Sequence, residues 1–469
     1  MNEDVRIDYT NLMTESIGSE HGISTQDIQD LEPRAKEIHR NLQTRRKSGE
    51  LGFFTLPYQS QVVYEIEKYA KFLRPRYDNF VVLGIGGSAL GSIALRTALC
   101  HPLHNLIPKK KRGGGMRLFV LDNIDPEEFR QVIEHLDLKK TIFNVITKSG
   151  STTETLSQFM IVVDRLRTTL KSKWKKRVVV TTDPKKGPLR QIADQLGLTT
   201  FEVPEAVGGR FSVLSSVGLL PLAAAGVDIQ QLVSGAARME ERCRSDSLST
   251  NPAYFLASLL YLLDTQKQKK IVVMMPYAAG LKDLADWFRQ LWAESLGKRL
   301  STTGKPIHVG QTPVKALGVT DQHSQIQLYV EGPNDKVIVF LEVGQFPKEV
   351  PIPDVFPEQE KISYLSGHSL NRLIQVEKEG TELALTQTQR PNCTIQIGQI
   401  TPHALGQLIL LFEIQTAFAG GLYRVNAFGQ PGVEEGKKHT NAVLGKPGSG
   451  EDQKRFEELI KSRPRKVFE

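Results

Sequence analysis

The chain has 469 residues, which suggests two or three domains. Hydrophobic residues make up 40% and charged residues 24%, so a large core can form, and disordered, collagen-like and coiled-coil proteins are excluded. Lysine and arginine number 60 against 52 aspartates and glutamates, and the resulting charge of +8 favours an anionic partner: nucleic acid, an anionic membrane or an acidic small molecule.

The cysteines and the hydropathy pattern exclude further classes of protein. Cys100, Cys243 and Cys393 lie far apart and form no Cys-x-x-Cys pair, which argues against a disulfide framework or a zinc site. No apolar run approaches the roughly 18 residues that a membrane span needs. The polar start of the chain is unlike a signal or transit peptide. We therefore expect a cytoplasmic protein with no membrane partner.

The first 77 residues are predicted to be a helical segment and a linker. An amphipathic helix is expected from about residue 25 to 46, because apolar residues recur there at helical spacing: Ile28, Leu31, Ala35, Ile38 and Leu42. The glycine-containing stretch 48–59 is interpreted as a linker, and a second helix follows at about 59–73.

From residue 79 onward, short apolar runs alternate with helical patterns, which is typical of parallel sheets covered by helices on both faces. The first series of predicted strands is 80–85, 117–122, 141–146 and 177–182, with helices near 88–99, 126–136, 153–170 and 187–196. A mostly helical stretch covers 212–265. The second series of predicted strands is 270–277, 305–310, 336–343 and 393–398, with helices ending near 298 and lying near 367–378 and 402–422.

This alternation predicts an α/β fold of two doubly wound parallel-sheet domains wrapped by helical segments. The expected divisions are an N-terminal segment (1–77), a first sheet domain (78–222), a helical connection (223–267), a second sheet domain (268–425) and a loop with a helical tail (426–469).

Three basic clusters precede predicted strands, at 109–112, 171–177 and 267–270. We interpret them as solvated turns. A nucleic-acid surface would need aromatic side chains among the cations, and only Trp174 meets that condition, so no nucleic-acid partner is expected.

The first chemical motif is the glycine-rich stretch GIGGSA at 84–89, between a predicted strand and a helix. Glycines at such a turn let the backbone approach a ligand, and the helix N-terminus offers free N–H groups to an anion. The motif also half-fits a dinucleotide fingerprint, but the nearest acid after the next strand, Asp122, lies too far along the chain.

The second motif is TKSGSTTET at 147–155, again between a strand and a helix. Six of its nine residues carry hydroxyl groups, whereas an ordinary N-cap needs only one. Hydroxyl and N–H groups at a helix N-terminus suit a phosphate monoester. Two such turns in one sheet indicate a small phosphorylated ligand at the carboxyl ends of the strands.

Both turns resemble those of the sugar isomerase (SIS) fold, which binds phosphosugars. Three further stretches narrow the resemblance to the glucose-6-phosphate isomerase family: EAVGGRFS at 205–212, WAESLGK at 292–298 followed by TDQHS at 320–324, and FGQPGVEEGK at 428–437. They occur in the family's order and, with the two turns, cover about residues 80–437. The resemblance implies two SIS-type domains and the reversible isomerisation of glucose 6-phosphate and fructose 6-phosphate through an enediolate.

The resemblance also implies four catalytic roles. Glu294 matches the base that moves a proton between C1 and C2, and Arg210 matches the guanidinium that stabilises the enediolate oxygen. His323 and Lys437 match the pair that opens the sugar ring, a task for which histidine is suited because it titrates near neutrality. In this family the histidine comes from the neighbouring subunit, so a homodimer with shared sites is implied.

The binding residues implied by the resemblance are Gly87, Ser88, Thr147, Lys148, Ser149, Thr152 and Gln430. Lys148 is expected to contribute its backbone N–H rather than its charge. No metal or organic cofactor is implied, and the sequence offers no ligand cluster with metal spacing. Gly429 replaces the family's usual Asp or Asn, which removes a side chain able to brace the loop that carries Gln430.

Two other classes of protein remain as alternatives. A phosphosugar-binding regulator would keep both anion-binding turns but has no reason to keep Glu294, His323 and Lys437 together. A nicotinamide-dependent oxidoreductase would rest on the stretch 84–89 and is disfavoured by the hydroxyl-rich second turn.

Overall fold

The N-terminal segment packs into the body of the protein in the computed structural model, which describes residues 4–468. Its elements are β1 (Arg6–Asp8), α1 (Thr14–His21), α2 (Thr25–Lys47) and α3 (Ser60–Leu73). The helix α2 begins at Ser24, whose hydroxyl accepts from the Asp27 N–H while the Asp27 carboxylate accepts from the Ser24 N–H. The expected linker is wrong: Gly52–Tyr58 forms a 3-10 helix because Phe53 and Phe54 are buried in the core.

The first sheet confirms the predicted parallel architecture. Its elements are β2 (Asn79–Leu83), α4 (Leu90–Leu99), β3 (Arg117–Leu121), α5 (Pro126–His135), β4 (Thr141–Ile146), α6 (Thr153–Leu170), β5 (Val178–Thr182), α7 (Pro188–Leu196) and β6 (Thr199–Glu202). The strand order is β3-β2-β4-β5-β6, with every pair parallel. Alternate residues of β2 enter different cores, Val81 on one face and Val82 on the other, because side chains alternate along a strand.

Three helices connect the sheets: α8 (Ser216–Ala225), α9 (Ile229–Arg242) and α10 (Pro252–Lys267). The second series comprises β7 (Ile271–Pro276), α11 (Lys282–Leu296), β8 (Lys298–Leu300), β9 (Pro306–Val309), β10 (Thr312–Lys315), α12 (Ile326–Glu331), β11 (Lys336–Val343), α13 (Glu360–Ser363), α14 (Leu370–Gln387), β12 (Asn392–Ile397) and α15 (Pro402–Tyr423). The chain ends in α16 (Glu434–Val443) and α17 (Gly450–Ser462).

The second sheet has the order β1-β12-β11-β7-β10. All its pairs are parallel except β1–β12, so a strand from the N-terminal segment, which was expected to be helical, completes this sheet. The prediction of a sheet strand at 305–310 is wrong. The strand β9 pairs with β8 in a separate antiparallel hairpin, and β10 takes the sheet position instead.

The largest core lies between the two sheets and includes α15, which packs against α9, α10 and α11. The helix α15 is buried along almost its whole length and is long and apolar enough to cross a membrane by length and composition, so the expectation that no run approaches that length is wrong. In the protein, 94% of its most apolar window is buried.

The basic clusters are only partly solvated. Short 3-10 turns hold residues 109–112 and 171–177, but Trp174 is buried in the second. Lys269 is also buried, and its Nζ donates to the Asn334 carbonyl at 2.6 Å. Burial lowers the pKa of Lys269 to about 8. The interpretation as solvated turns is therefore wrong for Lys269.

Candidate active site

A loop at 147–152, which we call the hydroxyl loop, follows β4 at the carboxyl edge of the first sheet. The hydroxyls of Thr147 and Thr152 lie 2.7 Å apart, and Ser149 Oγ lies 3.4 Å from Thr147 Oγ1. Thr152 is the N-cap of α6, yet its side chain makes no cap hydrogen bond. The hydroxyls therefore cluster with one another beside the first-turn N–H groups, an arrangement that suits an anion.

The neighbouring loop between β5 and α7 fixes this backbone. Gly150 has a φ of +64°, and its carbonyl accepts from the Leu189 N–H at 3.1 Å. A Cβ at Gly187 would lie 2.4 Å from the Ser149 carbonyl oxygen. Only glycine allows the two loops to approach so closely.

The ammonium group of Lys148 is engaged by the protein backbone. Its Nζ donates to the carbonyls of Glu205 at 2.6 Å and Val207 at 2.8 Å. Burial lowers the pKa of Lys148, and the charges of Asp183 and Glu205 oppose that shift. Lys148 therefore ties the hydroxyl loop to the segment that precedes Arg210.

The turn Gly86–Ser88, which we call the glycine turn, follows β2. It packs against the 3-10 turn Gly209–Phe211, which we call the Arg210 segment. A Cβ at Gly87 would lie 2.3 Å from the Gly209 carbonyl carbon, and one at Gly86 would lie 3.1 Å from Gln290 Nε2. The Ser212 hydroxyl donates to the Gly87 carbonyl at 3.4 Å. The glycine turn is thus held between the Arg210 segment and α11, with Ser88 half-buried at its end.

Arg210 is the centre of the arrangement and is 3% exposed. Its Nε donates to Ser295 Oγ at 2.7 Å, and its Nη1 lies 3.2 Å from Glu294 Oε2 and 2.7 Å from Gln430 Oε1. Burial lowers the pKa of Arg210, and the charge of Glu294 opposes that shift. One guanidinium thus connects the segment after the first sheet, the end of α11 in the second series and the loop after α15.

Glu294 lies near the end of α11 with a side chain 29% exposed. Apolar neighbours on α11, including Leu291 and Trp292, are buried and fix the helix against the core. Gln290, one turn earlier, donates from Nε2 to Glu294 Oε1 at 3.1 Å. Sequence reasoning missed Gln290, although its spacing of four residues from Glu294 on a predicted helix was a usable signal.

The loop 426–430 is braced despite Gly429. Arg210 Nη2 donates to the carbonyls of Ala427 and Gly429, the latter at 3.2 Å. The Phe428 ring lies 5.3 Å from that of Phe211 between ring centroids. Backbone carbonyls and an aromatic contact therefore hold this loop, and a side chain at 429 is not needed for that.

Lys437 lies on α16, the helix that follows the loop 426–430. Its ammonium is 3.1 Å from Glu434 Oε1, and the pair is more than half exposed. Asn441 lies one turn after Lys437 on α16. Its Oδ1 accepts from the Thr153 hydroxyl at 3.0 Å, which connects α16 to the start of α6.

His323 is exposed at the end of the 3-10 turn Thr320–His323, in the second half of the fold. The preceding residue, Gln322, accepts from the Tyr277 hydroxyl and donates to the Glu377 carboxylate, each at 3.0 Å. We call Arg210 and its hydrogen-bond partners the Arg210 cluster. Among the described residues of one chain, the hydrogen bonds of Arg210 do not include His323, so this histidine is not part of that cluster. Among residues 4–468, no group of three or more His, Cys, Asp or Glu could hold a metal ion.

Comparisons with known proteins bear on this geometry. The sequence profile of the family described as phosphoglucose isomerase matches residues 75–462. A glucose-6-phosphate isomerase of Carboxydothermus hydrogenoformans is 46% identical over 467 residues, covering 99% of this chain and 100% of that one. One of Rubrobacter xylanophilus is 44% identical, covering 95% and 99%.

Solved structures share the fold. A crystal structure of a hypothetical protein from Thermus thermophilus superposes with a TM-score of 0.84 at 37% identity, covering 94% of this chain and 100% of that one. A glucose-6-phosphate isomerase from Chlamydia trachomatis superposes with a TM-score of 0.81 at 20% identity, covering 98% and 92%.

We predict that Gly87→Ala destabilises the protein by about 1–3 kcal/mol, because its Cβ would overlap the backbone at Gly209. The matched control is Gly208→Ala in the same segment, where the nearest atom to a new Cβ is 3.8 Å away. Thermal unfolding of the two variants should show a lower midpoint for Gly87→Ala and a nearly unchanged one for Gly208→Ala. Equal midpoints would contradict the close approach.

Proposed function

The chain belongs to the phosphoglucose isomerase family and catalyses the reversible isomerisation of glucose 6-phosphate and fructose 6-phosphate; we propose that Glu294 and Arg210 carry out the proton transfer. The observation that carries this assignment is the Arg210–Glu294 ion pair at 3.2 Å, which Gln290 and Gln430 also contact. Lys148 ties the hydroxyl loop to the segment that precedes Arg210. The match to the family profile and the two relatives confirm the resemblance of the sequence motifs to this family, and they favour the enzyme over the regulator and the oxidoreductase.

In the proposed binding mode, the phosphate of the sugar binds at the hydroxyl loop and the glycine turn. Thr147, Ser149 and Thr152 offer hydroxyl groups, and Lys148, Gly87 and Ser88 lie in the same two turns. Because the charge of Lys148 is bound to backbone carbonyls, neutral donors hold the phosphate. The sugar then extends from the first sheet towards α11.

The proton transfer follows from the positions of Glu294 and Arg210. Glu294 removes the proton from C2 of the open-chain aldose, the C2–H electrons form the C1=C2 bond, and negative charge moves onto O1. The proton of the C2 hydroxyl passes to O1, which becomes a hydroxyl group and leaves the negative charge on O2. The O2 electrons then form the ketose carbonyl, and the C1=C2 electrons take the proton back from Glu294 at C1. The guanidinium of Arg210 stabilises the charge on the enediolate oxygen, and burial strengthens that interaction.

Ring opening is assigned to His323 and Lys437, one supplying a proton to the ring oxygen and the other accepting the proton of the O1 hydroxyl. Lys437 lies on α16, which contacts the start of α6 through Asn441, and this contact near the hydroxyl loop supports the assignment. His323 is outside the Arg210 cluster of its own chain, which supports a homodimer in which it enters the site of the neighbouring subunit. Neither step requires a metal or organic cofactor.

Glu294→Gln should reduce isomerisation about 10²–10⁴-fold, because the amide cannot accept the C2 proton. A coupled assay of fructose 6-phosphate conversion measures the loss, and calorimetry with a sugar-alcohol 6-phosphate tests binding, which should be retained. The exposed Glu331→Gln is the control and should keep full activity. Near-normal activity in Glu294→Gln would remove Glu294 as the base, while an inactive wild type that still binds would favour the regulator.

Lys437→Ala should slow turnover of the cyclic substrate more than that of an open-chain analogue that cannot close a ring, because only the former needs a proton transfer before isomerisation. The neighbouring exposed Lys438→Ala is the control for loss of charge. The measurement is the turnover rate of each variant on the cyclic substrate divided by its rate on the open-chain analogue. Equal defects on the two would exclude a ring-opening role for Lys437.

Co-expression of the inactive variants Glu294→Gln and His323→Ala should restore roughly a quarter of the wild-type activity. In a homodimer with exchanged histidines, half of the dimers are mixed and each mixed dimer has one intact site. Each variant expressed alone is the control. If both functional groups came from one chain, no mixed dimer would have an intact site and the activity would stay at the level of the single variants.

A further inference from the structure

Lys298 is a buried cation that the reaction as described does not use. It is the first residue of β8, two positions after the end of α11, and is 9% exposed. Its Nζ turns back over the helix end and donates to the carbonyl oxygens of Glu294 and Ser295, the latter at 2.9 Å.

These two carbonyls belong to the last turn of α11, where backbone oxygens have no partner within the helix. The carbonyl of Ala293 accepts from the Gly297 N–H at 2.9 Å, and Lys298 provides donors for the next two. A cation at a helix C-terminus also interacts favourably with the helix dipole.

The hairpin β8–β9 fixes the backbone of Lys298. Lys298 pairs with Val309, and a Cβ at Gly310 would lie 2.8 Å from Gly297 Cα, so the two chains are in close contact at the helix end. The stretch that was expected to be a strand of the second sheet therefore holds Lys298 against α11 instead.

The two residues that Lys298 holds are both partners of Arg210. Ser295 Oγ accepts from Arg210 Nε at 2.7 Å, and Glu294 Oε2 lies 3.2 Å from Arg210 Nη1. A shift of the last turn of α11 would change both distances at once. The ammonium group thus acts on the backbone from which the proposed base and the proposed enediolate-stabilising group take their relative position.

We propose that Lys298 is a positioning residue for isomerisation: its ammonium group fixes the carbonyls of Glu294 and Ser295, and so holds the Glu294 carboxylate and the Arg210 guanidinium in the geometry of proton transfer. This role rests on the proposed function of Glu294. Loss of Lys298 should therefore lower kcat and leave substrate affinity nearly unchanged, because in the proposed binding mode the phosphate binds elsewhere, at the hydroxyl loop.

The charge state of Lys298 offers a second way to observe this role. Burial and the charge of Arg210 lower the pKa of Lys298 to about 8, while the charge of Glu294 raises it. These are the charged groups that face it, on the Gly209–Phe211 turn and on α11. As the pH rises through about 8, Lys298 loses its positive charge, and its hydrogen bonds to the two carbonyls become weaker because a charged donor binds more strongly than a neutral one, so kcat should fall there.

The test compares kcat and KM of Lys298→Met, Lys298→Arg and the control Lys305→Met, which removes an exposed charge from the same hairpin. We expect Lys298→Met to lower kcat about tenfold or more while KM changes less than about threefold. Lys298→Arg should keep most of the wild-type kcat, and Lys305→Met should resemble the wild type. A kcat of Lys298→Met near that of the wild type, or a loss that Lys298→Arg does not restore, would overturn the positioning role.

The pH profile keeps the proposal testable if Lys298→Met does not fold. The wild type should lose kcat as the pH rises through about 8, and Lys298→Arg, whose side chain stays protonated, should keep its kcat through that range. Identical profiles for these two proteins would overturn the proposal. If Glu294→Gln remains active, the assigned base is wrong whatever Lys298 does; if Glu294→Gln is inactive and Lys298→Met is fully active, only the positioning role is wrong.

Discussion

The burial of the Arg210 guanidinium is the constraint on which the site depends. A cation that is almost completely removed from water is costly unless hydrogen bonds and an opposite charge replace its hydration. Arg210 obtains these from two segments besides its own: the end of α11, and the loop 426–430, which supplies the Gln430 side chain and two backbone carbonyls. Each segment is therefore fixed relative to the others through one side chain, and an error in any of them would leave a buried charge without a partner.

The close approach of backbones around Arg210 follows from that constraint. Gly87 packs directly on Gly209, so the glycine turn of the first sheet lies against the arginine's own segment without intervening side-chain atoms. Lys148 ties the hydroxyl loop to the same segment from the other side. Aromatic contacts among Phe53, Phe211 and Phe428 cover it. The stretch interpreted from sequence as a linker thus supports the site, because its phenylalanines were counted as loop residues rather than as core.

The sequence predicted what depends on local periodicity and on short motifs. Buried strands such as β4 and long helices such as α6 agree with the structure because apolar spacing determines them. The edge strand β6 was missed and the strand β9 was misplaced because both are short, neither has a fully buried residue, and the sequence does not show which neighbour each pairs with. The motifs identified Arg210 and Glu294, but not their connection through Ser295, nor the position of Lys298 behind them. The contact between Arg210 and Ser295 joins residues 85 positions apart, which no local pattern records. The contacts of Lys298 are close in sequence, but they depend on how the chain turns back over the end of α11.

The distribution of charge within the site has a chemical reason. The phosphate is unchanged by isomerisation, so binding it more tightly would stabilise substrate, transition state and product alike and would not accelerate the chemical step. In the proposed binding mode neutral hydroxyl groups hold the phosphate, and the charged group of the same loop, Lys148, is bound to backbone carbonyls. In the proposed mechanism, new charge develops on the oxygens of the sugar's first two carbons, and two buried cations lie near the proposed base: Arg210 beside the Glu294 carboxylate and Lys298 behind it. The excess of positive charge in the sequence therefore says little about the site, because what matters is which cations are buried and which backbone groups they hold in place.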